Sequence, residues 1–149
     1  MPRLQDLRLS QNQIGVKGAQ ALARGLEGTT ALQLLWLWGN QIGDPGCQAV
    51  ARAIQQHQGL RELALHGNRL GDAGAQALGT AAEQLPQLTQ VYLFHNSITD
   101  VGAKALAKGL EDKDLELLRI EGNCIGKSGC KALKQLRVRD LNCEGQQPR

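Results

Sequence analysis

The chain has 149 residues, 42% of them hydrophobic and 21% charged, and a formal net charge of +3. That is enough for one domain with a real core, and the composition excludes a disordered or fibrous chain. Lysines and arginines are scattered without a run, which excludes the footprint of a nucleic-acid binder, and no apolar stretch nears the ~20 residues that cross a bilayer.

The first predicted element is a strand over Leu4-x-x-Leu7-x-Leu9, closed by Asn12. The same phrase returns as Leu32-x-x-Leu35-x-Leu37 with Asn40, Leu60-x-x-Leu63-x-Leu65 with Asn68, Leu88-x-x-Val91-x-Leu93 with Asn96, and Leu115-x-x-Leu118-x-Ile120 with Asn123. The asparagines follow one another at intervals of 28, 28, 28 and 27 residues, the mark of an internal repeat. Leucine alternation turns one face of each strand inward, and the Asn amide can satisfy backbone groups where the chain turns away. Stacked copies predict a parallel sheet.

A helix is predicted after each turn. Ala19, Leu22 and Leu26, and again Ala103, Leu106 and Leu110, recur at spacings of three and four. Asp44, Asp72 and Asp100 stand where an N-cap is expected, and Pro45 is placed at the first helical position. Val16 and Lys127 break the rule in the end copies, as terminal repeats do. A glycine at 18, 46, 74, 102 and 129 is expected to let helix and sheet approach closely.

The tail from Arg137 completes no visible sixth copy, and Val138 and Leu141 fit either an extension of the last helix or a degenerate strand. The tail beyond Gly145 is expected to be disordered. Neither end carries an obvious cap, so the chain reads as a fragment whose bare apolar end abuts further sequence or self-associates with another chain.

The wording Leu-x-x-Leu-x-Leu-x-x-Asn-x-Ile-Gly-Asp-x-Gly-Ala-x-Ala-Leu, fullest in residues 60–78 and 88–110, resembles the ribonuclease-inhibitor-like class of leucine-rich repeats. The resemblance covers roughly residues 4–136. It implies an α/β solenoid, a horseshoe with parallel strands on the concave face, helices on the convex face, and a protein ligand gripped by the concave side. The expected domain is residues 1–136, with repeats 4–31, 32–59, 60–87, 88–114 and 115–136, followed by a degenerate end over 137–149. Within the class, the turn wording looks most like the C-terminal repeats of NOD-like receptors, which implies a ligand-sensing or partner-binding region of a larger intracellular receptor. The repeats of Ran GTPase-activating proteins are a more distant likeness, usually accompanied by a strongly acidic region, whereas this chain is slightly basic. A spacer or designed array is a third reading; Thr99 for Gly and Val91 for Leu in the fourth copy favour a natural sequence.

Strand alternation exposes the residues between the leucines. One row reads Arg8, Trp36, Ala64, Tyr92, Arg119, and the next Ser10, Trp38, His66, Phe94, Glu121. These rows hold both tryptophans, the tyrosine and the phenylalanine of the chain. Trp, Tyr and Arg are enriched at binding hot spots, so Arg8, Ser10, Trp36, Trp38, His66, Tyr92, Phe94, His95, Arg119 and Glu121 are the candidate contacts for a protein or peptide. The competing reading is that the aromatics only support one another across neighbouring strands. Asp6, Arg61, Glu62, Arg69 and Glu116 add charges of mixed sign beside this face.

Catalysis, metal and cofactor are not expected. Gly122-Asn-Cys-Ile-Gly126-Lys127-Ser128 has three residues between its glycines where a P-loop needs four. His66, His95, Glu121 and Cys124 lack the spacing of a metal site or a nucleophile pair. Cys47, Cys124, Cys130 and Cys143 form no CxxC pair, and no Asn-x-Ser/Thr acceptor or signal peptide is present, which favours a reducing, cytoplasmic setting. Cys47 and Cys130 take the slot of Ala19, Ala75 and Ala103 and read as small buried fillers, too far apart to bridge; Cys124 and Cys143 are unassigned.

Overall fold

The computed structural model describes residues 3–148. Met1 and Pro2 at the start of the expected domain, and Arg149 at the end of the expected tail, lie outside the described residues. Strands and helices alternate: β1 Asp6–Arg8, α1 Val16–Leu26, β2 Leu34–Trp36, α2 Gly43–Ile54, β3 Glu62–Ala64, α3 Asp72–Ala82, β4 Gln90–Tyr92, α4 Asp100–Leu110, β5 Asp114–Arg119, α5 Lys127–Leu133 and β6 Arg137–Asn142. The six strands form one parallel sheet in chain order. Leu7, Leu35, Leu63, Val91, Leu118 and Leu141 stand in one register row across it.

The second and third leucines of each inner copy are buried, as the alternation requires, and the helices cover them. The asparagines tie one copy to the next. Asn96 Oδ1 accepts from the backbone N–H of Asn68 (2.9 Å) and of Leu70 (3.0 Å), while its Nδ2 donates to the carbonyls of Leu65 (3.2 Å) and Leu93 (3.0 Å). Asn40, Asn68 and Asn123 repeat the pattern, so each buried amide satisfies backbone of its own turn and of the preceding one.

The N-cap expectation is corrected. Asp44, Asp72 and Asp100 lie inside the first turn of their own helices and cap the helix of the following copy instead. Asp44 Oδ1 accepts from Gly71 and Gly74, and Asp100 Oδ1 from Gly126 and Gly129, at 2.7–2.9 Å. Pro45 is likewise the third residue of α2, not the first, still among the residues whose N–H has no intrahelical acceptor. The glycine of this turn makes room for the preceding copy's helix rather than for the sheet. A Cβ on Gly102 would come within 2.6 Å of Asp72 Oδ1 and 3.0 Å of Ala75 Cβ.

A sixth copy of the strand phrase exists after all: Val138-x-x-Leu141-x-Cys143-x-x-Gln146. Val138 pairs in register with Leu115, so the segment is a strand and not an extension of α5. Gln146 takes the asparagine's part, accepting from Asn123 N–H (2.9 Å) and donating to the carbonyls of Ile120 (3.1 Å) and Cys143 (3.0 Å). Gln147 N–H also donates to the Asn123 carbonyl, which corrects the expectation that the chain is disordered directly beyond Gly145.

Cys130 and Cys143 form a disulfide that ties α5 to the end of β6. Cys130 is therefore more than a small filler, and the cysteine count loses its value as a sign of a reducing setting. Cys47 is free and buried, as its alanine slot implies. No helix among the described residues is long and apolar enough to cross a membrane.

Candidate functional site on the concave sheet

Three rows of side chains leave the sheet on the side away from the helices. The outer aromatic row is a continuous stack. Trp38 and His66 lie with ring centroids 5.2 Å apart and planes 11° from parallel, His66 and Phe94 at 3.9 Å and 16°. The stack joins copies two, three and four, and Phe94 then meets His95 edge to face at 5.3 Å. In this row the rings brace one another across strands through His66, which lies between Trp38 and Phe94.

The inner row behaves differently. Trp36, Ala64 and Tyr92 are register neighbours on β2, β3 and β4, and the larger side chains cover the small alanine: Ala64 is 2% exposed, and the His66 ring lies 6.0 Å from that of Tyr92. The rings frame a depression of about 360 Å³ lined by Trp36, Tyr92, Trp38, His66, Phe94 and Glu62, with buried Ala64 also in the lining.

Glu62 belongs to a third row, Asp6, Leu34, Glu62, Gln90, Leu117, which the alternation exposes equally. Its Oε1 accepts from Trp36 Nε1 at 2.8 Å and so fixes the indole plane. Gln90 Oε1 accepts from the Tyr92 hydroxyl at 3.2 Å, and Gln90 Nε2 donates to Glu116 at 3.1 Å. Burial, and then the charge of Glu62, hold the Tyr92 phenol above its ordinary pKa, so it remains a donor near neutrality. Burial pushes the His66 imidazole down to about 4, with His95 adding to the effect, so at neutral pH this ring is an uncharged stacking surface. Its Nδ1 is buried without a hydrogen-bond partner.

The remaining candidates stand around this depression. The Arg8 guanidinium lies 4.4 Å from the Trp36 ring centroid, on the side facing β1. Arg119, the register neighbour of Tyr92 on the side away from Ala64, pairs with Asp140 at 3.3 Å. Ser10 and Glu121 end the outer row, each with one buried oxygen lacking a partner. His95 adopts a left-handed backbone (φ 53°), and a Cβ on Gly122, in the next copy, would run into its ring. Gln90 was missed, and Glu62 was read only as a charge beside the face, because two of the three exposed rows were read as contacts; Ala64 was placed in its row but not among the contacts, since a small residue carries no signal until its neighbours are known. A larger hollow of about 600 Å³ lies against α5, lined in part by Lys127, Lys131 and Lys134; it holds none of the aromatic residues.

Stacked strand-turn-helix units with a shared asparagine ladder and an open sheet face define a solenoid repeat protein. The leucine-rich repeat family model matches residues 2–23, 32–51, 56–79, 84–107 and 112–134, and the chain belongs to that family, in its ribonuclease-inhibitor-like type. No curated protein matches. Among solved structures the chain is similar to leiomodin-1 actin-binding site 2, with a TM-score of 0.71 and 16% identity over 91% of this chain and 80% of that one. At that identity the likeness is one of fold.

Proposed function

We propose that the chain is a non-catalytic protein-binding module whose partner docks on the concave sheet face, over Trp36, Trp38, His66, Tyr92 and Phe94. The observation that carries this is the depression of about 360 Å³ that these aromatic side chains frame on the open face of the sheet. Rigid aromatic surface that loses little entropy on contact, set around a pit, is the usual make-up of a hot spot. Leiomodin-1 offers a case of this fold described as an actin-binding site.

The finer reading is that the module is the ligand-sensing or partner-binding part of a larger intracellular receptor of the NOD-like kind. It rests on the turn wording Asn-x-Ile-Gly-Asp-x-Gly. The test compares proteins retained from a cell lysate by the wild-type chain and by a Trp36→Ala, Trp38→Ala, Tyr92→Ala, Phe94→Ala variant that circular dichroism reports as folded. Loss of specific bands in the variant supports the sheet face; identical profiles refute it.

A further inference from the structure

The depression at Ala64 is not uniformly apolar. Glu62 closes one end, and one of its oxygens is spent on the Trp36 indole while the other is left to the opening. No ion pair reaches Glu62 among the described residues. Past Glu62 a second hollow of about 290 Å³ continues the groove, with Asp6, Glu116 and Arg61 in its wall. Asp6 is matched by Arg8 at 3.6 Å, which leaves Glu62 and Glu116 against Arg61. The groove is thus acidic at the mouth of an aromatic pit, in a chain whose net charge is positive.

Aromatic rings around a depression with a carboxylate at one end are surroundings that favour a cation with an apolar stem. The chain already makes a related contact with itself. Trp36 has Arg8 as its register neighbour on β1, where the guanidinium sits 4.4 Å from the ring, and the depression lies on its other side, toward β3. His66 carries no charge at neutral pH to repel a second cation.

We infer that the pit between Trp36 and Tyr92 takes a basic side chain, arginine or lysine, from the protein partner, with its stem on the rings and its charge at Glu62. This rests on the sheet face being the binding surface and adds the chemistry of the residue it selects.

The two tryptophans give the chain two indole N–H resonances in a proton–nitrogen correlation spectrum. Titration with Nα-acetyl-arginine amide, Nα-acetyl-lysine amide and Nα-acetyl-leucine amide is followed at the Trp36 indole. At least one cationic probe is expected to shift it with a several-fold steeper response than the leucine probe, and the arms tell guanidinium from ammonium. Glu62→Gln keeps an acceptor for the indole but removes the charge, and should weaken the cationic response about two- to five-fold, the upper part of what an exposed ion pair contributes, while leaving the leucine response unchanged. A leucine response equal to the cationic ones, no response to either cation, or no effect of Glu62→Gln overturns the inference. If the aromatic variant still loses its lysate partners in that event, the sheet-face reading stands and only the cation is wrong.

Discussion

Asp72 Oδ1 accepts from the backbone N–H of Gly102 at 3.0 Å, a contact 30 residues along the chain that caps a helix Asp72 does not belong to. The same carboxylate accepts from Thr99 N–H (2.8 Å) and the Thr99 hydroxyl (2.7 Å). Each inner aspartate therefore helps to hold the next copy in place, and the glycine at its far end leaves room for the carboxylate. Val16 occupies the corresponding slot of the first copy and has no carboxylate to offer α2.

Asp72→Ala should cost about 1–2 kcal/mol, the loss of an N-cap, and should act on α4 more than on α3. Thermal melting gives the size, and amide exchange gives the place: faster exchange at the start of α4 is expected, while faster exchange confined to α3 would show that the aspartate serves its own helix.

Asn96→Ala should be more damaging. It strands the buried N–H groups of Asn68 and Leu70, while the carbonyls of Leu65 and Leu93 keep donors in the Asn68 and Asn123 amides. Unsatisfied buried groups cost about 1–3 kcal/mol each, so a total of about 2–6 kcal/mol is expected in urea unfolding. Gln146→Ala, at the open end of the ladder, should cost clearly less.

Stability should fall as the solution is acidified from pH 7. Two histidines have lowered pKa values in the fold, His66 from 6.5 to about 4 and His57 in the same direction, both chiefly through burial. His57 Nδ1 accepts from Leu32 N–H at 3.2 Å and its Nε2 donates to the Leu26 carbonyl at 3.1 Å, so a second proton would displace an acceptor. A base with a lower pKa folded than unfolded binds fewer protons when folded. Its stability contribution is whole above about 6.5, lost as pH falls, and gone below the folded value. Melting temperatures measured from pH 7 to 4 should decline, and His66→Phe should flatten part of the decline; an unchanged slope in that variant would remove His66 from the account.

Reduction of the Cys130–Cys143 bond should loosen one end of the molecule only. The bridge closes a short loop, 13 residues apart in sequence, worth about 3 kcal/mol on chain-entropy grounds. Dithiothreitol should speed amide exchange across β6 and leave β3 as it was. Equal protection in both redox states would mean that strand pairing and Gln146 suffice.

Most of the fold was legible because its determinants recur. The leucine alternation with its closing asparagine appears five times in the chain, at four nearly equal intervals. The sixth copy was hidden because Cys143 replaces the third leucine and Gln146 the asparagine, and because it follows the fifth copy after 23 residues instead of 27 or 28. The aspartates were legible as caps but assigned to the wrong helix, since sequence neighbours suggest a local partner and a solenoid offers one a full copy away. At the site, the aromatic rows followed from alternation alone. The depression did not, because it depends on how the rings of adjacent strands lean over His66 and Ala64.

The docking face itself is tested most directly by site-specific photo-cross-linking. A photoreactive residue is placed at Gln90, on the sheet beside the pit, or at Val101, which is 68% exposed on α4. Exposed to lysate and light, the Gln90 protein should capture a discrete partner that the aromatic variant does not; capture of the same partner from Val101 and not from Gln90 would put the binding surface on the helices and contradict the account.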